Sequence, residues 1–232
     1  MKTKRVFIVS GGEYVGGRDG IAALRERIVE AAGGLFLSRG FIRVTADEMA
    51  AEVGISKATL YRVFRSKEEI LRAVVRGLMA EIGGRVDALI RDENLGFVER
   101  LARLVAFVGG RISRFGPLFI RDLQKAAPAV WKEVEAFRRE KLLANFKTIL
   151  AAGHKQGLFR GDIDLDLLLE MFLRLVEAFV NPAEVLRSGR PPAETFESVI
   201  KVFFQGILTD RGRRDFAART PALFEPRKED ES

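Results

Sequence analysis

An all-α chain in two parts is what these 232 residues predict. Three observations carry the prediction. Two short helical patterns meet at one glycine between Arg43 and Lys67, apolar residues past Glu81 recur at helical spacing, and no strand-helix alternation accompanies them. Hydrophobic residues make up 47% of the chain, ample for a small N-terminal domain and a larger helical one. With no cysteine, a disulfide, a thiolate zinc site and a thiol nucleophile are all excluded, and a reducing, cytoplasmic setting is expected. The longest apolar run, LLLEMFLRLVEAFV, is interrupted by Glu170, Arg174 and Glu177, so no membrane span or membrane partner is expected. VFIV, between Arg5 and Ser10, is too short for the core of a signal peptide.

Residues 1–20 read as a flexible arm. The apolar run and the glycines at 11, 12, 16 and 17 imitate a strand and phosphate loop, but neither G-x-G-x-x-G nor Walker spacing follows. Lys2, Lys4, Arg5 and Arg18 give the arm a basic character without specificity. The first domain is placed at 21–81. Within it Thr45 caps a helix, Glu48 three residues on completes a capping box, and Met49, Ala50 and Val53 form the inward stripe. Gly54 makes the turn and Ile55 plugs the corner; Ser56 then caps a second helix with Leu60 and Phe64 on one face. Lys57, Thr59, Tyr61 and Arg62 are left largely outside. A short helix offering basic, hydroxyl and aromatic groups suits a DNA major groove. Ser66 with Glu69 is a further capping box, opening a helix to about Asp92 with Lys67 in its first turn.

The stretch AAGGLFLSRGFIRVTADEMAAEVGISKATLYRVF, from Ala31 to Phe64 and continuing through SKEEILRAV, resembles the N-terminal domain of the TetR (tetracycline repressor) family of transcriptional regulators. The likeness covers about a quarter of the chain. It rests on Thr45, Ala50, Val53-Gly54-Ile55-Ser56, Leu60-Tyr61, Phe64 and Ser66-Lys67-Glu68. Two positions depart from it: Ala58 stands where the family often has Gly, and Val63 where it often has His or Tyr. By position, the resemblance implies that Thr45, Ser56, Lys57, Ala58, Thr59, Tyr61, Arg62 and Lys67 face DNA. It also implies a three-helix DNA-binding domain followed by a larger helical domain for ligand binding and dimerisation, with a palindromic double-stranded operator, a homodimer and a small-molecule effector as partners.

That second domain is expected over 82–210. LGFVERLARLVAFVGGRIS supplies a helix from about Gly96 to Ser113, Gly116-Pro117 breaks it, and LFIRDLQKA makes a short one. Pro128 opens a long helix to about Ala152. Asp164 caps a helix over 165–180, Asn181-Pro182 and Gly189 to Pro192 are breaks, and a last helix runs from about Ala193 to Leu208. Residues 211–232 read as a charged, solvated tail. The last two helices carry more apolar surface than one buried stripe requires, the first with Leu167, Leu168, Met171, Phe172, Leu175, Val176 and Phe179, the second with Phe196, Val199, Ile200, Phe203, Phe204 and Ile207. That surplus fits the dimer face the resemblance implies. The effector pocket is sought among Phe107, Phe115, Phe119, Trp131, Phe137, Phe146 and Phe172, with Ser113, Arg114, Gln124, Asn145 and His154 as polar candidates.

Charge agrees with a nucleic-acid partner. The net charge is +7, and residues 1–75 hold 13 Lys and Arg against 9 Asp and Glu. An enzyme has little material to work with: one histidine, no cysteine, and neither G-x-S-x-G nor H-E-x-x-H. No metal or cofactor is expected. Asp162, Asp164 and Asp166 lack the remaining EF-hand positions and fit helix capping better. The expected function is a ligand-responsive regulator, a repressor rather than an activator; the rival is an architectural or activator-type DNA binder without small-molecule induction.

Overall fold

The computed structural model describes residues 6–8, 14–16, 18–112, 115, 117–179 and 189–219. The chain divides into two compact units: residues 1–80 with 115–135, and residues 81–114 with 136–232. The expected second domain, 82–210, is therefore interrupted, because residues 115–135 pack into the core of the first unit.

The first unit opens with a two-stranded antiparallel hairpin, β1 (Val6–Ile8) and β2 (Tyr14–Gly16), with Phe7 opposite Val15. Residues 6–8 and 14–16 of the expected flexible arm are thus paired strands: both stretches are β-branched or aromatic apart from Gly16. Lys2, Lys4 and Arg5 lie outside the described residues. Helix α1 (Arg18–Arg39) places Leu24, Ile28, Ala32 and Phe36 four residues apart on one buried stripe. It stops at Gly40, whose φ of +82° is the left-handed conformation that favours glycine. Next come α2 (Ala46–Val53), α3 (Lys57–Val63) and α4 (Lys67–Arg91). Gly54, at φ +75°, reverses the chain between α2 and α3, and the N–H of Ile55 reaches back to the carbonyl of Ala50 at 2.9 Å. Met49, Leu60, Phe64, Ile70 and Leu71 close the core around α1, all at or near zero exposure.

Helix α6 (Pro117–Ala126) and the first turns of α7 (Pro128–Lys155) complete this unit, α6 packing on α1. Phe119, Leu123, Ala127 and Val130 continue one buried stripe across Pro128. The proline interrupts little, since Ala127 donates to Leu123 and Trp131 to Ala127 around it.

The second unit takes the rest of α4 and α7 with α5 (Phe97–Ile112), α8 (Leu165–Phe179), α9 (Pro192–Ile207) and α10 (Asp210–Arg219). Its core is aromatic. Phe146 stacks on Phe172 with centroids 3.9 Å apart, Phe203 and Phe204 meet Phe146 edge to face, and Phe159, tilted against Phe204, meets Phe97 edge to face. The expected tail is corrected here. Residues 210–219 form α10, with Phe216 buried at 2% exposure, and Gly212 lets the helix lie against the Leu158 carbonyl, where a β-carbon would collide. Isolated charges hid that single anchoring ring from a reading of composition. Residues 220–232 and the Asn181-Pro182 break lie outside the described residues. No described helix is long and apolar enough to cross a membrane.

Candidate nucleic-acid interface

Caps fix where each short helix begins. The Thr45 hydroxyl accepts the N–H of Glu48 at 3.2 Å, and the Glu48 carboxylate accepts the Thr45 N–H at 2.7 Å, a complete capping box. The same hydroxyl donates to Glu48 at 2.9 Å, and Arg39 pairs with Glu48 at 3.1 Å. These contacts hold the Glu48 carboxyl below its usual range, the Thr45 N–H foremost. Ser56 caps α3 by accepting the N–H of Thr59 at 3.1 Å.

On α3, Lys57, Ala58, Tyr61 and Arg62 are exposed and occupy one face at positions i, i+1, i+4 and i+5, with Ser56 at its entrance. Tyr61 keeps 41% of its surface in solvent although it is large and aromatic. Thr59 does not belong to that face. It is 6% exposed and its hydroxyl lies 2.9 Å from that of Ser56, so it serves the cap and the packing beneath the helix. Thr45 is exposed, yet both hydrogen-bonding roles of its hydroxyl are filled by Glu48. Lys67 leans inward: its ammonium lies 4.4 Å from the Phe41 ring and donates to the Ile42 carbonyl at 3.3 Å. Burial lowers its pKa, against the opposing pull of Asp122 and Glu48. Five of the eight expected DNA-facing residues, Ser56, Lys57, Ala58, Tyr61 and Arg62, thus form one outward surface, while Thr45, Thr59 and Lys67 shape and support it.

Several contributors escaped the sequence. Asp47, on α2, binds the Lys57 ammonium at 2.8 Å and raises its pKa. From α1, Arg27 donates to the Val53 carbonyl at 2.9 Å and Arg25 to that of Val63 at 3.3 Å, placing cations at the C-terminal ends of α2 and α3. Arg25 also stacks 4.0 Å from the Phe64 ring and pairs with Glu69 at 3.6 Å. Their partners are 26 and 38 residues away, beyond any local spacing rule.

The seven aromatics proposed for a pocket do not share one place. Phe119 is core of the first unit and Phe115 and Trp131 pack against it; Phe146 and Phe172 are core of the second, with Phe107 against them. Phe137 approaches Gly83 of α4 within the second unit. Helical spacing places an aromatic on a stripe without saying which core that stripe meets. Ser113 and Arg114 lie outside the described residues. Asp164 caps α8 by accepting the N–H of Leu167 at 2.9 Å, and Asp162 is held by Arg160.

The model of the bacterial regulatory proteins of the tetR family matches residues 28–74, the span from mid-α1 to mid-α4 that builds this surface. Along more of its length the chain is 26% identical to the HTH-type transcriptional regulator YvaF of Bacillus subtilis, covering 80% of this chain and 96% of that one. It is 28% identical to the HTH-type transcriptional repressor KstR2 of Rhodococcus jostii, over 67% of this chain and 76% of the relative. In fold it is similar to the transcriptional regulator FadR of Bacillus subtilis, solved in complex with stearoyl-CoA, with a TM-score of 0.58, 18% identity, and 78% and 98% of the two chains covered. Over residues 28–74 the chain carries the DNA-binding domain of the TetR family of transcriptional regulators. It is a DNA-binding regulator and not an enzyme.

Proposed function

We propose that the chain is a dimeric repressor that reads a palindromic operator with the Lys57, Ala58, Tyr61 and Arg62 face of α3 and is released by a small apolar or amphipathic effector. The observation that carries the DNA reading is that outward face, held by caps at both short helices and by two α1 arginines. Lys57 and Arg62 match phosphates or guanine edges, the Tyr61 hydroxyl matches a phosphate, and the Ala58 methyl suits the methyl of thymine. Cytoplasm is the compartment such a role implies.

Support for the dimer comes from α8 and α9. Leu167, Met171 and Phe179 on α8 are 51%, 48% and 44% exposed, and Val202 on α9 is 72% exposed. Spaced by four and eight residues, the α8 side chains form a stripe that burial against a second copy would cover. Of the other large apolar residues described on these helices, Leu168, Phe172, Ile200 and Phe204 are buried within the chain, while Leu165, Leu169, Leu173, Leu175 and Val199 are half-buried. For the effector, we favour the second unit, around Phe107, Phe137, Phe146 and Phe172; the stearoyl-CoA complex of FadR is the precedent for an amphipathic ligand on this fold. Repression is favoured by the KstR2 relative.

Selection of bound duplexes from random DNA, followed by footprinting, tests the reading. The expected result is one protected palindrome with half-sites about one helical turn or somewhat more apart. Uniform coating without a selected sequence would favour the architectural alternative.

A further inference from the structure

Helix α6 sends a carboxylate into the loop that joins α1 to α2. Asp122 is 2% exposed, and its Oδ2 accepts the N–H of Ile42 at 2.9 Å. Asp122 Oδ1 is buried with no hydrogen-bond partner, Arg121 lying 3.6 Å from it. A buried carboxylate so sparsely paired is costly. Ile42 itself is 55% exposed, so the anchor acts on a residue that packing holds only in part.

The loop is gripped from two sides. Asp122 holds the N–H of Ile42 while Lys67, in the first turn of α4, holds its carbonyl. Gly40 makes room for this arrangement: a β-carbon there would stand 2.7 Å from Asp122 Oδ2, and its φ of +82° already disfavours one. Three residues beyond Ile42 lies Thr45, the cap of α2. In a helix-turn-helix the first helix crosses the phosphate backbone and sets the angle at which the second enters the groove.

We infer that Asp122 is a positioning residue for DNA recognition: by anchoring Ile42 it fixes the start of α2 and, through α2, the placement of the α3 reading face. The role rests on α3 being that face. It belongs to the acceptor oxygen, so asparagine can fill it and alanine cannot.

The test uses the full chain, a duplex selected by the unmutated chain, and a scrambled duplex of equal length at one salt concentration. Asp122→Ala should lose about tenfold in preference for the selected duplex, corresponding to roughly 1.4 kcal/mol, with hydrogen exchange at the Ile42 amide accelerated. Asp122→Asn should keep both the preference and the protected amide. An unchanged preference in Asp122→Ala, or an equal loss in Asp122→Asn, overturns the role. Should Asp122→Ala fail to fold by circular dichroism, Gly40→Ala displaces the carboxylate by a second route: the same tenfold loss supports the role, and full preference with an unprotected Ile42 amide overturns it. The unmutated chain is the control. If it selects no duplex, the α3 assignment falls and this role with it, whereas failure confined to the variants strikes Asp122 alone.

Discussion

In the proposed complex with DNA, Lys57 exchanges one anion for another, the Asp47 carboxylate of the free chain for a DNA phosphate. Both members of the existing pair are exposed, so the pair adds little to stability and yields readily to a phosphate. Lys57→Ala and Tyr61→Phe should each weaken operator binding by about 1–3 kcal/mol and change stability by no more than about 0.5 kcal/mol. Fluorescence titration at fixed salt beside a urea melt checks the pair; unchanged affinity in both would remove α3 from recognition. Glu48 supplies a pH dependence of definite sign. Its carboxyl is held below the ordinary 4.5 by the Thr45 N–H, then by the Thr45 hydroxyl. The stabilisation is therefore fully present above that ordinary value and is lost as pH falls through the lower folded one. Thermal melts of the chain and of Glu48→Gln across this acidic window should converge as the pH drops, since protonation removes in one what substitution removed in the other.

At the scale of elements, the short helices α2 and α3 are too brief to stand alone, and their order comes from what is fastened to their ends. The N-terminal fastenings are local caps. The C-terminal ones come from α1, through Arg25 and Arg27, and the loop before α2 is tied to α6 through Asp122. The exposed stripe of α8 carries a prediction of its own. Leu167→Glu combined with Met171→Glu should convert a dimer into a folded monomer at micromolar concentration, because both side chains are about half exposed in the single chain and a charge costs little there. Light scattering gives the mass and circular dichroism the fold. A dimer that survives both substitutions would move the interface elsewhere.

For the whole molecule, regulation requires that one free energy be felt at two places. α4 and α7 each contribute residues to both compact units, so a helix with Lys67 at its start and Val86 near its end is a continuous element on which both sites can act. An effector can release DNA only by as much as it prefers the non-binding arrangement, typically about 1–3 kcal/mol or roughly 5- to 150-fold. Reciprocity then sets the outcome: operator DNA must weaken effector binding by the same factor. Calorimetric titration of a confirmed effector with and without operator should return that factor, and equal affinities would rule out induction by this route.

The helix-turn-helix was legible in the sequence because its determinants are local. Thr45 with Glu48, the turn at Gly54 and the cap at Ser56 act within a few residues of their partners, and the stripe of Met49, Leu60 and Phe64 follows from the helical period. Tertiary structure alone decided which exposed-looking residues are spent on support. Thr59 turned inward to Ser56, Lys67 folded over Phe41, and Asp122 reached Ile42 across 80 positions of sequence. The same holds for the cores. Period told that Phe119, Trp131, Phe146 and Phe172 lie on apolar stripes, but only the path of the chain, which returns residues 115–135 to the first unit, determined that the first two belong to one core and the last two to the other. Local spacing fixes which face of a helix is apolar; the partner of that face is set by contacts between segments far apart in sequence, which no window of the chain contains.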